Sequence, residues 1–287
     1  MSADVGLAQE PAAALTSRAR RRQAKRVSGG LPVVVLVLGA LGALLFVLPL
    51  VGLVARVPWR SLGEQLFSGP IMTALGLSLV CSGAATVLCL LLGVPLGWVQ
   101  ARTSFPGRGV LRAITTLPVV LPPVVGGVAL LLVFGRRGIV GQSLYEYTGV
   151  QLPFTTLGTV LAEAFVAMPF LVLTVGGALQ SMDQGLEEAA RTLSASKWTV
   201  FWRVTMPTIR PSLVAGTVLC WARALGEFGA TITFAGNFPG RTQTLPLAVY
   251  VALETDLDAA ITLSLVLLTI SVGVLVALRR YWFGGLR

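Results

Sequence analysis

Glu188-Ala189-Ala190-Arg191-Thr192-Leu193-Ser194-Ala195-Ser196-Lys197-Trp198-Thr199-Val200-Phe201-Trp202-Arg203-Val204-Thr205-Met206-Pro207 is a polar, helix-prone island in a very apolar chain. Glu187 and Glu188 stand at the expected start of a helix, where negative charge complements the helix dipole. Ala189, Ala190 and Leu193 recur at short helical spacings and form a small apolar face suited to close approach. Lys197, Trp198, Phe201 and Trp202 add an aromatic and basic body, and an amphipathic helix of this kind suits a protein groove. Met206-Pro207 is expected to end the unit. A membrane protein keeps such a segment out of lipid when something soluble meets it there. The bland alternative is an amphipathic helix lying on the lipid surface.

The surroundings of the island are lipid-soluble. The chain has 287 residues, a mean hydropathy of +0.82 and only 12% charged residues, whereas soluble domains carry about a quarter. Charge-free runs at Val27–Ala55, Gln65–Ala101, Ala113–Gly135 and Ala259–Leu278 each reach the roughly 18–20 residues that cross a bilayer as helix. Two further spans carry charges, about Thr156–Leu179 with Glu163 and about Leu213–Ala235 with Arg223 and Glu227. The fold class is therefore an all-α membrane protein with six transmembrane helices, and the island falls between helices 4 and 5. The expected organisation is a basic tail over 1–30, a first helix over 31–55, and a transmembrane domain over 72–280 that contains the loop 183–210. The first helix follows basic residues, as in a signal peptide, but is too long and lacks a small-residue cleavage site.

The net charge of +10 invites a nucleic-acid reading, and its distribution argues against one. With six spans and the amino terminus inside, sixteen Lys or Arg fall in inner segments and five in outer ones, leaving Arg223 within the membrane. That is the positive-inside bias, and it puts both termini in the cytoplasm. The chain has no histidine, and Cys81, Cys89 and Cys220 lie within expected spans, so no metal site or disulfide framework is expected. No nucleophile–base pair stands out, which disfavours an intramembrane enzyme. Its two lysines, Lys25 and Lys197, are followed by Arg26 and Trp198, so no Walker A phosphate loop exists here.

Three further features bear on a transport path. Pro118, Pro122 and Pro123 either break the third span, as at a watery cavity, or sit harmlessly at its start. Arg223 and Glu227 lie four apart on one helix face, and mutual pairing is the first expectation for charges in lipid. That pair either lends potential to an anion path or is structural. Ser78, Ser82 and Thr86 either line the path or pack helices.

The island resembles the "EAA" coupling loop of ATP-binding-cassette importer permeases, whose pattern is Glu-Ala-Ala, three residues, Gly, nine residues, Ile-any-Leu-Pro. Glu188-Ala189-Ala190 leads, Ser194 stands at the Gly, and Val204-Thr205-Met206-Pro207 closes. Ser for Gly is a departure that reduces backbone freedom. Beyond the loop, Trp221-Ala222-Arg223-Ala224-Leu225-Gly226-Glu227-Phe228-Gly229-Ala230-Thr231 and Pro239-Gly240-Arg241-Thr242-Gln243-Thr244-Leu245-Pro246 resemble the permease subunits of molybdate importers, with a related stretch in sulfate permeases. The resemblance implies a type I importer fold and a homodimer in the cytoplasmic membrane. It implies two cytoplasmic ATP-binding subunits that carry ATP and Mg, and an extracytoplasmic oxyanion-binding protein. No cofactor is implied on this chain. It makes Glu187, Glu188, Ala189, Ala190, Leu193, Ser194, Val204, Met206 and Pro207 the coupling residues. Molybdate is the first substrate, sulfate or tungstate the alternative. An ion-coupled secondary carrier using Glu163 or Glu227 is the reading from another class.

Overall fold

The structure, a computed structural model, describes residues 33–283, so the basic tail expected over 1–30 lies outside the described residues. Every regular element among the described residues is helical. Helix α1 (Val33–Ala55) is the described part of one of two units. Its 23 residues reach about 35 Å at the helical rise. None of them is buried, and apolar side chains cover it all round, as in a helix solvated by lipid.

The remaining described residues form one unit. In chain order they are α2 (Leu62–Leu66), α3 (Gly69–Arg102), α4 (Arg108–Val120), α5 (Pro123–Phe134), α6 (Gly141–Thr148), α7 (Thr156–Ser181) and α8 (Gly185–Thr192). After these come α9 (Lys197–Val200), a π turn (Phe201–Thr205), α10 (Met206–Leu225), α11 (Gly229–Phe234), α12 (Leu245–Thr255) and α13 (Leu257–Phe283). The centre is a three-helix seam. Ala85 and Cys89 of α3, Ala164, Ala167, Leu171 and Val175 of α7, and Cys220 and Ala224 of α10 are buried together. Small residues set this spacing, because lipid offers helices no hydrophobic drive to associate and close backbone packing must replace it. A β-carbon at Gly97 of α3 would lie 3.2 Å from the Val172 carbonyl of α7. Thr155 caps α7, its Oγ1 accepting from the Gly158 N–H at 3.1 Å.

Among the described residues, four helices are long and apolar enough to cross a membrane: Val33–Ala55, Gly69–Arg102, Thr156–Ser181 and the stretch Leu257–Ala277 of α13. The other two expected spans are interrupted. The third stops at Val120, passes through extended Leu121 and Pro122, and restarts with Pro123 in the first turn of α5, where its missing N–H costs nothing. Pro122 thus lies in the break between the two helices, Pro123 opens α5, and Pro118 lies inside α4. The fifth span stops at Leu225 and restarts at Gly229. The two interruptions touch. A β-carbon on Gly229 would lie 2.9 Å from that of Pro123, and one on Gly127 would lie 2.7 Å from that of Thr233.

Helix α4 begins at Arg108, five residues ahead of the charge-free run that opens at Ala113. Leu245–Thr255, outside every expected span, forms α12, an apolar helix that packs with Ile71 and Ala74 of α3 and Ala260 and Leu263 of α13. Ser78 and Ser82, weighed as path-lining or helix-packing hydroxyls, are buried and bond neighbouring helices. Ser78 Oγ accepts from the Leu245 N–H at 2.6 Å, at the start of α12. Ser82 Oγ accepts from Trp221 Nε1 of α10 at 3.0 Å. Thr86 is buried and donates to the Ser82 carbonyl of its own helix at 2.7 Å.

Candidate functional site

The sequence-selected residues form two separate clusters. The first is the loop between α7 and α10, whose local fold follows from its caps. Asp183 Oδ1 accepts from the Gly185 N–H at 2.9 Å and opens α8. Two bonds close α8: Ala195 N–H to the Ala190 carbonyl at 3.2 Å, and Ser194 N–H to the Arg191 carbonyl at 2.9 Å. This crossed pair requires a left-handed residue between helix and exit, and Ser194 takes that conformation with φ 62°. The family's Gly at this position thus has a backbone reason. Ser meets the same requirement at a cost of about 1 kcal/mol. Ser196 then caps α9, its Oγ accepting from the Thr199 N–H at 3.1 Å.

Met206-Pro207 does not end the unit. The helix runs on from Lys197 through the π turn into α10. Pro207 has no N–H and its ring crowds the carbonyl four residues back, so the ladder slips by one residue. The Met206 N–H bonds the Phe201 carbonyl instead. The slip turns Thr205 inward, where it is fully buried.

Side chains on this loop divide by direction. Glu188, Ala189, Leu193, Ser194 and Pro207 are exposed, Leu193 by 84%. Trp198 and Trp202 are also exposed, at 69% and 54%. Ala190, Val204 and Met206 are half-buried, and Met206 packs on the three-helix seam. Glu187 points the other way. It is buried, and its Oε1 accepts from Thr205 Oγ1 at 2.7 Å and from Arg102 Nη2 at 3.3 Å. Phe201 meets Trp98 of α3 edge-on, with centroids 5.0 Å apart, and stacks on Trp198 at 5.6 Å. A cleft of about 790 Å³ lies between the Arg102 end of α3 and this loop. Arg102, Thr205 and Trp98 are functional-site neighbours that sequence reasoning missed. Arg102 alone left a trace, as the charge that ends the long apolar run after Ala101.

The second cluster surrounds the two helix interruptions. Arg223 Nη1 lies 2.7 Å from Glu227 Oε2, so the expected i, i+4 pair is formed. Glu227 is 1% exposed, and its Oε1 accepts from the Ala230 N–H at 2.8 Å at the start of α11. Pro123 stands against Gly229, while Pro122 is exposed. Glu163 of α7 is fully buried, and its Oε2 has no hydrogen-bond partner among the described residues. The four named residues Arg223, Glu227, Pro122 and Pro123 thus flank one pair of broken helices, and they do not touch the loop cluster.

A bundle of apolar helices with two of them broken, and a capped, aromatic loop between α7 and α10, is the architecture of a multi-pass membrane protein. The chain belongs to the family of binding-protein-dependent transport system inner membrane components, whose profile matches residues 93–284. It is 47% identical over 237 residues to the molybdenum transport system permease protein ModB of Mycobacterium tuberculosis, covering 82% of this chain and 89% of that one. The ModB of Escherichia coli K12 is 41% identical over 218 residues, covering 76% and 95%. A probable sulfate transport system permease protein of Marchantia polymorpha is 35% identical over 216 residues, covering 74% and 75%. Among solved structures, a bacterial alginate ABC transporter in complex with its alginate-bound periplasmic protein shares the fold with a TM-score of 0.68 at 16% identity, covering 86% of this chain and 94% of that one.

Proposed function

We propose that this chain is the membrane path of an ATP-driven molybdate importer. Two copies pair in the cytoplasmic membrane with both termini inside, and each presents its 183–210 loop to an ATP-binding subunit that carries ATP and Mg. An extracytoplasmic binding protein delivers the oxyanion, and this chain binds no cofactor of its own. Residues 31–55 are the first span and 72–280 the transport domain. The observation that carries the reading is 47% identity along 89% of a molybdenum permease. The named sulfate permease is more distant and is covered less fully. Tungstate, another tetrahedral dianion, is the alternative cargo that shape alone does not separate.

The loop geometry supports the partner. Glu188, Ala189, Leu193, Trp198 and Trp202 form an exposed acidic, apolar and aromatic face, and aromatic anchors dominate protein interfaces. The lack of a Walker A phosphate loop in the sequence supports a nucleotide site on another chain. The broken helices Pro122–Pro123 and Gly226–Gly229 are the proposed wall of the path, since irregular backbone at membrane depth is tolerated when it is buried in protein or lines a cavity. Arg223 and Glu227 act there as a structural pair. The secondary-carrier reading is disfavoured because Glu227, one of its two acids, is already engaged by Arg223 and the Ala230 N–H.

Reconstitution tests this. Vesicles holding the permease, its ATP-binding subunit and its binding protein are expected to accumulate labelled molybdate only with ATP and both partners. Excess sulfate is expected to leave the uptake unchanged. Uptake driven by a proton gradient without the ATP-binding subunit would overturn the mechanism, and full competition by equal sulfate would overturn the substrate.

A further inference from the structure

Glu187 and Glu188 are neighbours on one turn of α8 and face opposite ways. Glu188 is exposed, whereas Glu187 is buried and tied to two other elements. One carboxylate oxygen receives Thr205 Oγ1 from the start of α10 at 2.7 Å and Arg102 Nη2 from the end of α3 at 3.3 Å. The Arg102 and Glu187 side chains are 12% and 10% exposed. The knot therefore joins three segments that sequence separates by 85 and 18 residues.

Both tethered helices lead away from the loop into the bundle. α3 is 34 residues long, which is about 50 Å at the helical rise and exceeds the hydrocarbon core. In its other half Ser78 holds the start of α12. α10 ends at the second helix interruption, beside Glu227 and α11. Trp221 of α10 and Ser82 of α3 are hydrogen-bonded to each other. One side chain of α8 thus contacts both α3 and the start of α10.

The chemistry of the knot matters. A buried ion pair adds little stability beyond what apolar side chains of equal volume supply, because desolvation offsets the attraction. Its best attested use is to set register or to switch. An aromatic contact, Trp98 against Phe201, already holds the same two segments by packing.

We propose that Glu187, acting through Arg102 and Thr205, is a positioning residue that transmits movement of the coupling loop to α3 and α10. It does so without touching the ATP-binding subunit. This rests on the transport reading above and assigns Glu187 a different task from its neighbour Glu188. Glu187 is the transmission, and Glu188 belongs to the docking face.

The test uses the full complex in vesicles and reads molybdate taken up per ATP hydrolysed. Glu187→Gln keeps an acceptor for Thr205 and removes the ion pair. It is expected to lower that ratio about tenfold, within the usual range of coupling between sites, while the ATP-binding subunit still co-purifies at the native proportion. The double exchange Glu187→Arg with Arg102→Glu is expected to recover much of the ratio, which a purely volumetric role would not do. Thr205→Val, nearly isosteric, is expected to shift the ratio in the same direction by less, and it serves if Glu187→Gln fails to fold. An unchanged ratio in the variant that folds overturns the proposal. So does loss of the ATP-binding subunit from the Glu187→Gln complex, which would make Glu187 a docking contact. Failure of the native chain itself to show ATP-dependent uptake would instead contradict the transport reading.

Discussion

Glu188→Lys is expected to leave the permease in the membrane and to abolish ATP-driven uptake. Glu188 is exposed and makes no side-chain hydrogen bond among the described residues. Its contribution to its own fold is the interaction of one acid with the first turn of α8, about 0.3–1 kcal/mol. Reversing the charge is therefore a small event for the isolated chain. In the proposed assembly the same residue belongs to the docking face, together with exposed Leu193 and Trp198. Removing or reversing one member of a desolvated interfacial charge contact costs about 2–5 kcal/mol, enough to weaken docking more than about 30-fold. Membrane level, co-purification of the ATP-binding subunit and uptake are measured together. Normal membrane level with lost co-purification and lost uptake is the expected pattern. Native co-purification and uptake would remove Glu188 from the docking face.

Glu227→Ala is expected to be the most destabilising single change within the bundle. The carboxylate does two things at once, pairing with Arg223 at 2.7 Å and accepting from the Ala230 N–H at 2.8 Å. Alanine leaves the guanidinium without its counter-charge and α11 without its first-turn acceptor. The loss is about 3 kcal/mol for the broken pair and about 1 kcal/mol for the missing acceptor. α11 is held between α5 and α7, where Ala230 and Phe234 are buried with Leu130, Ala162 and Val166. Its loosening therefore reaches the region where the two helix interruptions meet. Glu227→Gln keeps an acceptor for Ala230 and is expected to lose less. Thermal unfolding in detergent orders the three proteins: native, then Gln, then Ala. An Ala variant that melts with the native protein would show that the pair contributes nothing to the bundle.

The sequence showed most where chemistry is local. The polar island, the spacing from Glu188 to Pro207 and the small residue at 194 are contiguous, and the structure gives each a backbone role, including a left-handed Ser194. The proline run announced the interruption at Leu121–Pro122. The interruption after Leu225 carries no proline, only Gly226 and Gly229, and a hydropathy pattern runs straight through it. Helix α12 has 11 residues, too short to read as a span, and its burial against α3 and α13 is a tertiary fact. The hydroxyls of Ser78 and Ser82 could not be assigned in advance, because their partners Leu245 and Trp221 lie 167 and 139 residues away. Glu187 shows the same limit. An acid beside an acid reads as one charged turn until folding brings Arg102 and Thr205 to one of them.

The most direct test places a single reactive thiol on the loop. Cys81, Cys89 and Cys220 are buried, so Leu193→Cys, at a position 84% exposed, supplies the accessible one. In the intact assembly this thiol is expected to cross-link to the ATP-binding subunit and to resist an impermeant reagent added from outside the cell. Labelling from the outside, or an assembled transporter in which this thiol finds no nucleotide-binding neighbour, would contradict the proposal that this loop is where the permease meets its ATPase.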